Sequence, residues 1–267
     1  AAANERKCAA TLTHACLCAP EGLAAIRGAV ADQQLNGVLL AACSERAKAE
    51  EFAGPGGVLS AQLMPPIRVV DTIVPLNMAS PRPGVYVFDM GQNFSGWARL
   101  RVRGPRGTEV GLRFAELLYA DGTLNVENLR GARAEDVYIL KGEGEEVWEP
   151  RFTYHGFRYV ELTGFPGVPT AETLRGRVVR TAVRQAGSFA CSKPVLNKLQ
   201  RIIVWGQATN LHSIPTDCCQ RDERMGWMGD AQGTAEEAIY NFDMAAFYTN
   251  FLRDIRDIQD DKGTITD

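Results

Sequence analysis

The sequence has no apolar run long enough to span a bilayer, so no membrane-crossing helix is expected. It carries no excess of basic charge; its net charge of −3 offers nucleic acid no electrostatic footprint. Low-complexity and collagen-like bias are both absent. Cysteine is too sparse and too uneven for a disulfide scaffold. An odd count of seven, with no secretory signal, predicts reduced thiols and a cytoplasmic setting. His14 lies near Cys16 and Cys18, but a C-x2-C knuckle and a second ligand pair are missing, so neither metal nor cofactor is expected. The lipoprotein-like "LLAACS" at Cys43 follows too short an apolar run, with no basic start. G-x-S-x-G, P-loop, H-E-x-x-H and dinucleotide-binding fingerprints are also lacking.

What is there is an ordinary globular composition, 45% hydrophobic and 23% charged over 267 residues. Residues 1–57 form an Ala-rich segment that admits one or two helices up to the Gly54–Gly57 break, with no assigned role. Between Val69 and about Gly187 the texture changes to short β-branched and aromatic runs. They are "VYVFDM", "ARLRVRG", "EVGLRFAEL", "DVYILKG", "EVWEPRFTY", "FRYVELTG" and "LRGRVVRTA". Leu100 and Val102 alternate with Arg99, Arg101 and Arg103, the period-two pattern of antiparallel strands with one wet face. Turn signals such as "GPRG" and "GEGEE" separate the runs, predicting an antiparallel β-sandwich over residues 58–187. "DMGQNFSGW" and "FTYHGFRYVE", with Gln92, Asn93, Trp97 and His155, are read as turn chemistry and packing in preference to ligand contacts.

Past "SFACSKPVLNK" the period becomes helical. Ser192 is the predicted N-cap with Pro194 in the first turn, and Val195, Leu199, Ile202 and Ile203 share a face. Helical spacing returns at Ala235, Ala238, Ile239 and Phe242, then at Phe247, Phe251, Ile255 and Ile258, with Asp243 as a cap between. The fold class is therefore multi-domain: a β-sandwich, then the first helices of an all-α domain of helical hairpins over residues 188–267.

Between the helical stretches lies "PTDCCQRDERMGWMGDAQ". From Asp217 to Asp230 it gathers four carboxylates, two arginines, two thiols and Trp227. One reading is a solvated, salt-bridged connector. The other is a sugar site, in which carboxylates accept from vicinal hydroxyls, arginine orients them, and an indole stacks on a pyranose. Glycoside hydrolysis needs one protonated carboxyl, its pKa raised by burial and nearby negative charge, and a second carboxylate for water or covalent attack.

That loop, with "LSAQLMPPIRVV", "YVFDMGQNFSGWARLRVRG" and the stretch from "RFAELLYADG" to "FRYVELTG", resembles the bacterial α-L-rhamnosidases over about Leu59 to Asp267. The resemblance implies a concanavalin-like β-sandwich followed by the opening of an (α/α)6 barrel. It implies Glu223 as the general acid, Asp217 and Asp230 on rhamnose hydroxyls, and Trp227 in the sugar subsite. Arg221 and Asp222 are implied to orient the cluster. Cys219 departs from the family's Asp-Cys-Pro-Gln pattern by replacing the proline, which loosens the backbone and removes no catalytic group.

The family inverts configuration, which requires carboxyls about 6.5–9.5 Å apart with water between them. Its base is a glutamate far downstream, and a twelve-helix barrel needs more than roughly 200 residues. Only 75 residues follow Ser192, and Glu236, Glu237 and Asp243 do not match the base position, so an incomplete barrel lacking its base is expected. The expected partner is a rhamnose-containing glycoside or polysaccharide, and the full-length enzyme admits a homodimer. The alternative is a non-catalytic carbohydrate-binding or structural remnant. Another six-hairpin glycosidase or a phosphorylase is disfavoured by "RDERMGW".

Overall fold

A computed structural model describes residues 64–265. The readings made on residues 1–57, including those on His14, Cys16, Cys18 and Cys43, lie outside the described residues. The chain first builds β1 (Ile67–Ile73), β2 (Asn77–Arg82), β3 (Val85–Arg103) and β4 (Glu109–Ala115). The short strands β5 (Leu117–Leu118) and β6 (Leu124–Asn125) precede a 3-10 turn at Glu127–Leu129. Then come β7 (Glu135–Ile139), β8 (Glu145–Trp148), β9 (His155–Thr163) and β10 (Leu174–Thr181).

Eight strands form one antiparallel sheet in the order β1-β10-β3-β9-β4-β7, with β2 and β8 also paired to β3. "VYVFDM" and "ARLRVRG", expected as separate strands, are the two halves of β3. A register shift between Asp89 and Phe94 takes up the "DMGQN" segment without ending the strand. Gly91 supplies the positive φ there, and its N–H donates to Asp89 Oδ1 at 2.7 Å. Across that bend β3 exchanges its partners, pairing with β2 through residues 85–89 and with β10 and β8 through residues 96–103. The sheet thereby curls into a sandwich-like half-barrel. Strands β1 and β2 lack clean alternation and were not among the expected runs.

The core fills the inside of that curl. Phe88, Phe94, Phe114 and Phe157 are fully buried, with the Phe157 ring 4.4 Å from that of Phe94 and 4.7 Å from that of Phe114. Leu100 and Val102 point inward and Arg101 and Arg103 outward, as the alternation requires. Trp97 is tied down, its indole N–H donating to Glu149 Oε2 at 2.8 Å.

Three helices follow: α1 (Pro194–Thr209), α2 (Met228–Asn241) and α3 (Ala245–Ile258). Their starts differ from the sequence expectation. Lys193, not Ser192, occupies the N-cap position of α1 and makes no side-chain capping bond, since an ammonium has no acceptor to offer a helix N–H; Pro194 in the first turn leaves one unsatisfied N–H fewer. Met244 caps α3, while Asp243 pairs instead with Arg184 at 3.1 Å. Phe247 and Phe251 are buried as their spacing implied, whereas Val195, Leu199 and Ile202 are exposed along α1. The far end of α1 is docked on the sheet, with the Trp205 indole donating to the Asn93 carbonyl at 2.6 Å. No helix among the described residues is long and apolar enough to cross a membrane.

Candidate active site

Asn210 ends α1, and the hairpin β11 (Leu211–His212) and β12 (Ile214–Pro215) turns the chain through Ser213 in the left-handed region. The charged loop then closes on itself. The Asp217 N–H donates to the Met225 carbonyl at 3.0 Å, and the Met225 N–H donates to Asp217 Oδ1 at 2.8 Å. Arg224 sits at φ 57°, which reverses the chain back toward α2.

This closure brings the charges together. Arg221 donates to Asp217 Oδ2 at 3.3 Å and, through Nε, to Glu223 Oε2 at 2.8 Å. The Trp227 indole donates to the other oxygen, Glu223 Oε1, at 3.0 Å. Asp230 lies in the first turn of α2, where the helix dipole favours a negative charge. Asp217, Arg221, Glu223, Trp227 and Asp230 line one open cleft of about 450 Å³, together with Met228 and Gly229. Five of the six site residues expected from sequence thus share a cleft.

Residues 79–180 match the bacterial alpha-L-rhamnosidase concanavalin-like domain, and residues 184–267 match the bacterial alpha-L-rhamnosidase 6 hairpin glycosidase domain. The chain belongs to the bacterial α-L-rhamnosidase family. It is 49% identical over 207 residues to an alpha-L-rhamnosidase of Streptomyces avermitilis, covering 78% of this chain and 20% of that relative. A Formosa agariphila alpha-L-rhamnosidase is 44% identical over 181 residues, again covering 20% of its own length. The chain therefore spans about a fifth of the curated relatives it matches. Among solved structures, the Dictyoglumus thermophilum α-L-rhamnosidase superposes with a TM-score of 0.76 at 59% identity, over 80% of this chain and 24% of that one. The Streptomyces avermitilis enzyme complexed with L-rhamnose gives 0.75 at 47% identity, over 80% of this chain and 21% of that one.

In this rhamnosidase-family chain the sixth expected residue, Asp222, turns away from the cleft. It lines a neighbouring pocket of about 300 Å³ with Arg133, Thr153, Tyr154, His155 and Arg224; Arg221 and Glu223 line both. Its carboxylate is held there by the sandwich, with Arg130 Nε 3.0 Å from Oδ1 and the Gly131 N–H 3.2 Å from Oδ2.

The charge balance at Glu223 also differs from the sequence expectation of a raised pKa. The Trp227 N–H, followed by the guanidinia of Arg130 and Arg221, holds the carboxyl below its ordinary value of 4.5 and outweighs the upward push of burial. Positive donors prevail because Arg221 reaches Oε2 at 2.7 Å through Nη2 as well as through Nε, and Arg130 Nη2 reaches the same oxygen at 2.6 Å. Asp217, Cys218 and Glu223 each bring one ligand atom within 4.8 Å of the others. Their chemistry does not suit a cation: Arg221 occupies both carboxylates, and burial pushes the Cys218 thiol up. Cys219, the departure from the family pattern, is buried with its thiol pushed up to about 12, chiefly by desolvation. It packs on Gly156 of β9, where an added Cβ would come within 2.6 Å of Cys219 Sγ.

The sandwich grips the loop at two further points that sequence patterning did not reveal. Arg224 lies over the Tyr154 ring at 4.4 Å and donates to the Tyr154 carbonyl at 2.9 Å. The opposite face of the stack is His212, 3.9 Å from Tyr154 and nearly parallel to it. Burial pushes the His212 imidazole down to about 4, against a smaller upward pull from the Thr209 backbone, and neither ring nitrogen has a well-formed hydrogen bond. A folded-state pKa depressed from 6.5 means that the unfolded chain binds the proton first as pH falls. Stability present above pH 6.5 is then lost toward pH 4, by about 3 kcal/mol from this one ring. Urea denaturation at pH 7 and pH 4.5 checks this. His212→Phe, which preserves the stack, is expected to lose less stability between the two pH values than the wild type; equal losses would refute the assignment.

Proposed function

We propose that this chain carries the sugar-binding and acid-donating half of an inverting α-L-rhamnosidase active site acting on terminal α-L-rhamnose in glycosides or polysaccharides. The observation that carries the proposal is the shared cleft, in which a glutamate, two aspartates, an arginine and an indole converge. Asp217 and Asp230 accept from ring hydroxyls, and the Trp227 face lies along the pyranose. Glu223 protonates the leaving oxygen. Its Oε2 already receives one N–H from each of two guanidinia, with Arg221 Nη2 a further ion-pair contact at 2.7 Å, so the proton belongs on Oε1, which receives only the indole N–H.

The water-activating carboxylate is, on this proposal, none of those described. Arg221 and the Met225 N–H occupy Asp217, while Arg130 and the Gly131 N–H hold Asp222 outside the cleft. Asp230 is assigned to substrate hydroxyls. A reducing, cytoplasmic setting completes the proposal and fits the free thiols of Cys191, Cys218 and Cys219. The convergence of Glu223 with Asp217 and Asp230 at one open cleft supports this reading over a purely structural remnant.

In the free site Glu223 is ionised near neutrality. A sugar covering the cleft strips water from the carboxyl and raises its pKa, loading the acid when substrate is in place. The test is the pH dependence of kcat and kcat/KM for an aryl α-L-rhamnoside, measured on the native protein that carries this sequence. The basic limb of kcat is expected at higher pH than that of kcat/KM. Coincident limbs would remove the loading step, and absence of turnover on any α-L-rhamnoside would overturn the function.

A further inference from the structure

We infer that Arg130, contributed by the sandwich and outside the charged loop, is a positioning residue that fixes the Glu223 carboxyl through Oε2 and so presents Oε1 to the cleft. This rests on the proposed role of Glu223 as proton donor. The residue is built for aim. It follows the 3-10 turn whose Leu129 is buried, and its backbone is left-handed at φ 54°, a conformation unfavourable for a side-chain-bearing residue. Asp222 braces it: Oδ1 forms an ion pair with Arg130 Nε at 3.0 Å, while Oδ2 accepts from the adjacent Gly131 N–H at 3.2 Å. With Nε held in this way, Nη2 meets Glu223 Oε2 at 2.6 Å. A Cβ added at Gly131 would lie 2.8 Å from Asp222 Oδ2, so a side chain there would displace the Asp222 carboxylate.

The brace also accounts for Asp222, which faces away from the sugar cleft yet adjoins Glu223. A second cation on the same oxygen is otherwise redundant, because Arg221 already makes two contacts there. The two arginines do different things. Arg221 belongs to the loop itself and also binds Asp217. Arg130 ties the carboxyl to a different part of the fold, so the acid keeps its place when the loop is loaded with substrate. The charged and titratable groups around Glu223 are Arg130 and Asp222 toward the sandwich, Arg221, Asp217 and Cys218 from its own loop, and Asp230 from α2. Removing Arg130 takes away one of the two cations and raises the Glu223 pKa.

The experiment compares wild type, Arg130→Met and Arg130→Lys in the native protein, using a nitrophenyl and a methyl α-L-rhamnoside. Misplacing an acid hurts most where the leaving group needs the proton most. Arg130→Met is expected to lower kcat on the methyl glycoside at least tenfold more than on the nitrophenyl glycoside. KM should change less than twofold, and the basic limb of kcat/KM should move to higher pH. Arg130→Lys restores the charge without the fork and should recover the limb but not the rate. Equal loss on both substrates, or an unmoved limb, would overturn the inference. Carboxyl NMR titration of Glu223 in wild type and Arg130→Met gives a readout independent of turnover. An upward shift supports the inference and no shift overturns it, even if rhamnoside hydrolysis itself is not found. Gly131→Ala, which keeps every charge and displaces Asp222, should reproduce the leaving-group effect if Arg130→Met does not fold; its absence would count against the brace.

Discussion

Glu223→Gln is expected to lower kcat/KM on an alkyl α-L-rhamnoside by about 10²–10⁴-fold, the usual contribution of a positioned general acid. The loss on an activated aryl rhamnoside should be much smaller, because that leaving group departs with little help. The amide is close in shape to the acid but cannot supply the proton. It cannot reproduce the hydrogen bonds either. Oε1 accepts from the Trp227 indole and Oε2 from Arg130 and Arg221, so whichever way the amide turns, its NH₂ meets another donor. The local cluster should therefore loosen as well. Steady-state kinetics on both substrate types, with thermal unfolding as a check on folding, decides the matter. Unchanged kcat/KM on both substrates would sink the assignment of the acid.

Phe157→Ala is expected to cost about 3–5 kcal/mol of stability, a large part of what holds a typical domain together. Phe157 is fully buried between Phe94 of β3 and Phe114 of β4, on the interior strand β9 that pairs with both. Truncation leaves a cavity that three neighbouring strands cannot fill without losing their ladders. At about 2–4 °C per kcal/mol for a domain of this size, the melting temperature should fall by on the order of 10 °C. Phe152, five positions earlier, provides the contrast: it is fully exposed and sits at φ 60°. Phe152→Ala buries nothing less and should stay within about 0.5 kcal/mol of wild type. Calorimetry of both variants tests this, and similar melting temperatures would refute the placement of the core.

Leu100, Val102, Leu112 and Phe114 were legible as strand residues because a period of two follows from one buried face, whatever the partner strand. The bend of β3 was not legible. Gly91, Asn93 and Gly96 carry the local chemistry of a turn, and only pairing on both sides keeps such a segment extended. Caps were misplaced at Ser192 and Asp243 because side-chain capping competes with other contacts, and Asp243 is claimed by Arg184. The exposed stripe of Val195, Leu199 and Ile202 shows the same limit: periodicity assigns a face to a helix, but not what that face meets.

By itself the sequence determined the strand-then-helix order and the loop from Asp217 to Asp230, since both rest on residues close in the chain. Its length is ordinary for two domains, yet the stretch it shares with the curated relatives corresponds to about a fifth of theirs. Tertiary structure alone decided that Arg130 joins Arg221 and Trp227 on Glu223. Arg130 is 93 residues away from it, and Tyr154 is 70 from Arg224, separations at which no local pattern survives. It also reversed the expected charge balance. Counting carboxylates along the loop predicts repulsion and a raised pKa, whereas folding places two guanidinia and an indole N–H directly on the acid, and electrostatics depends on distance in space.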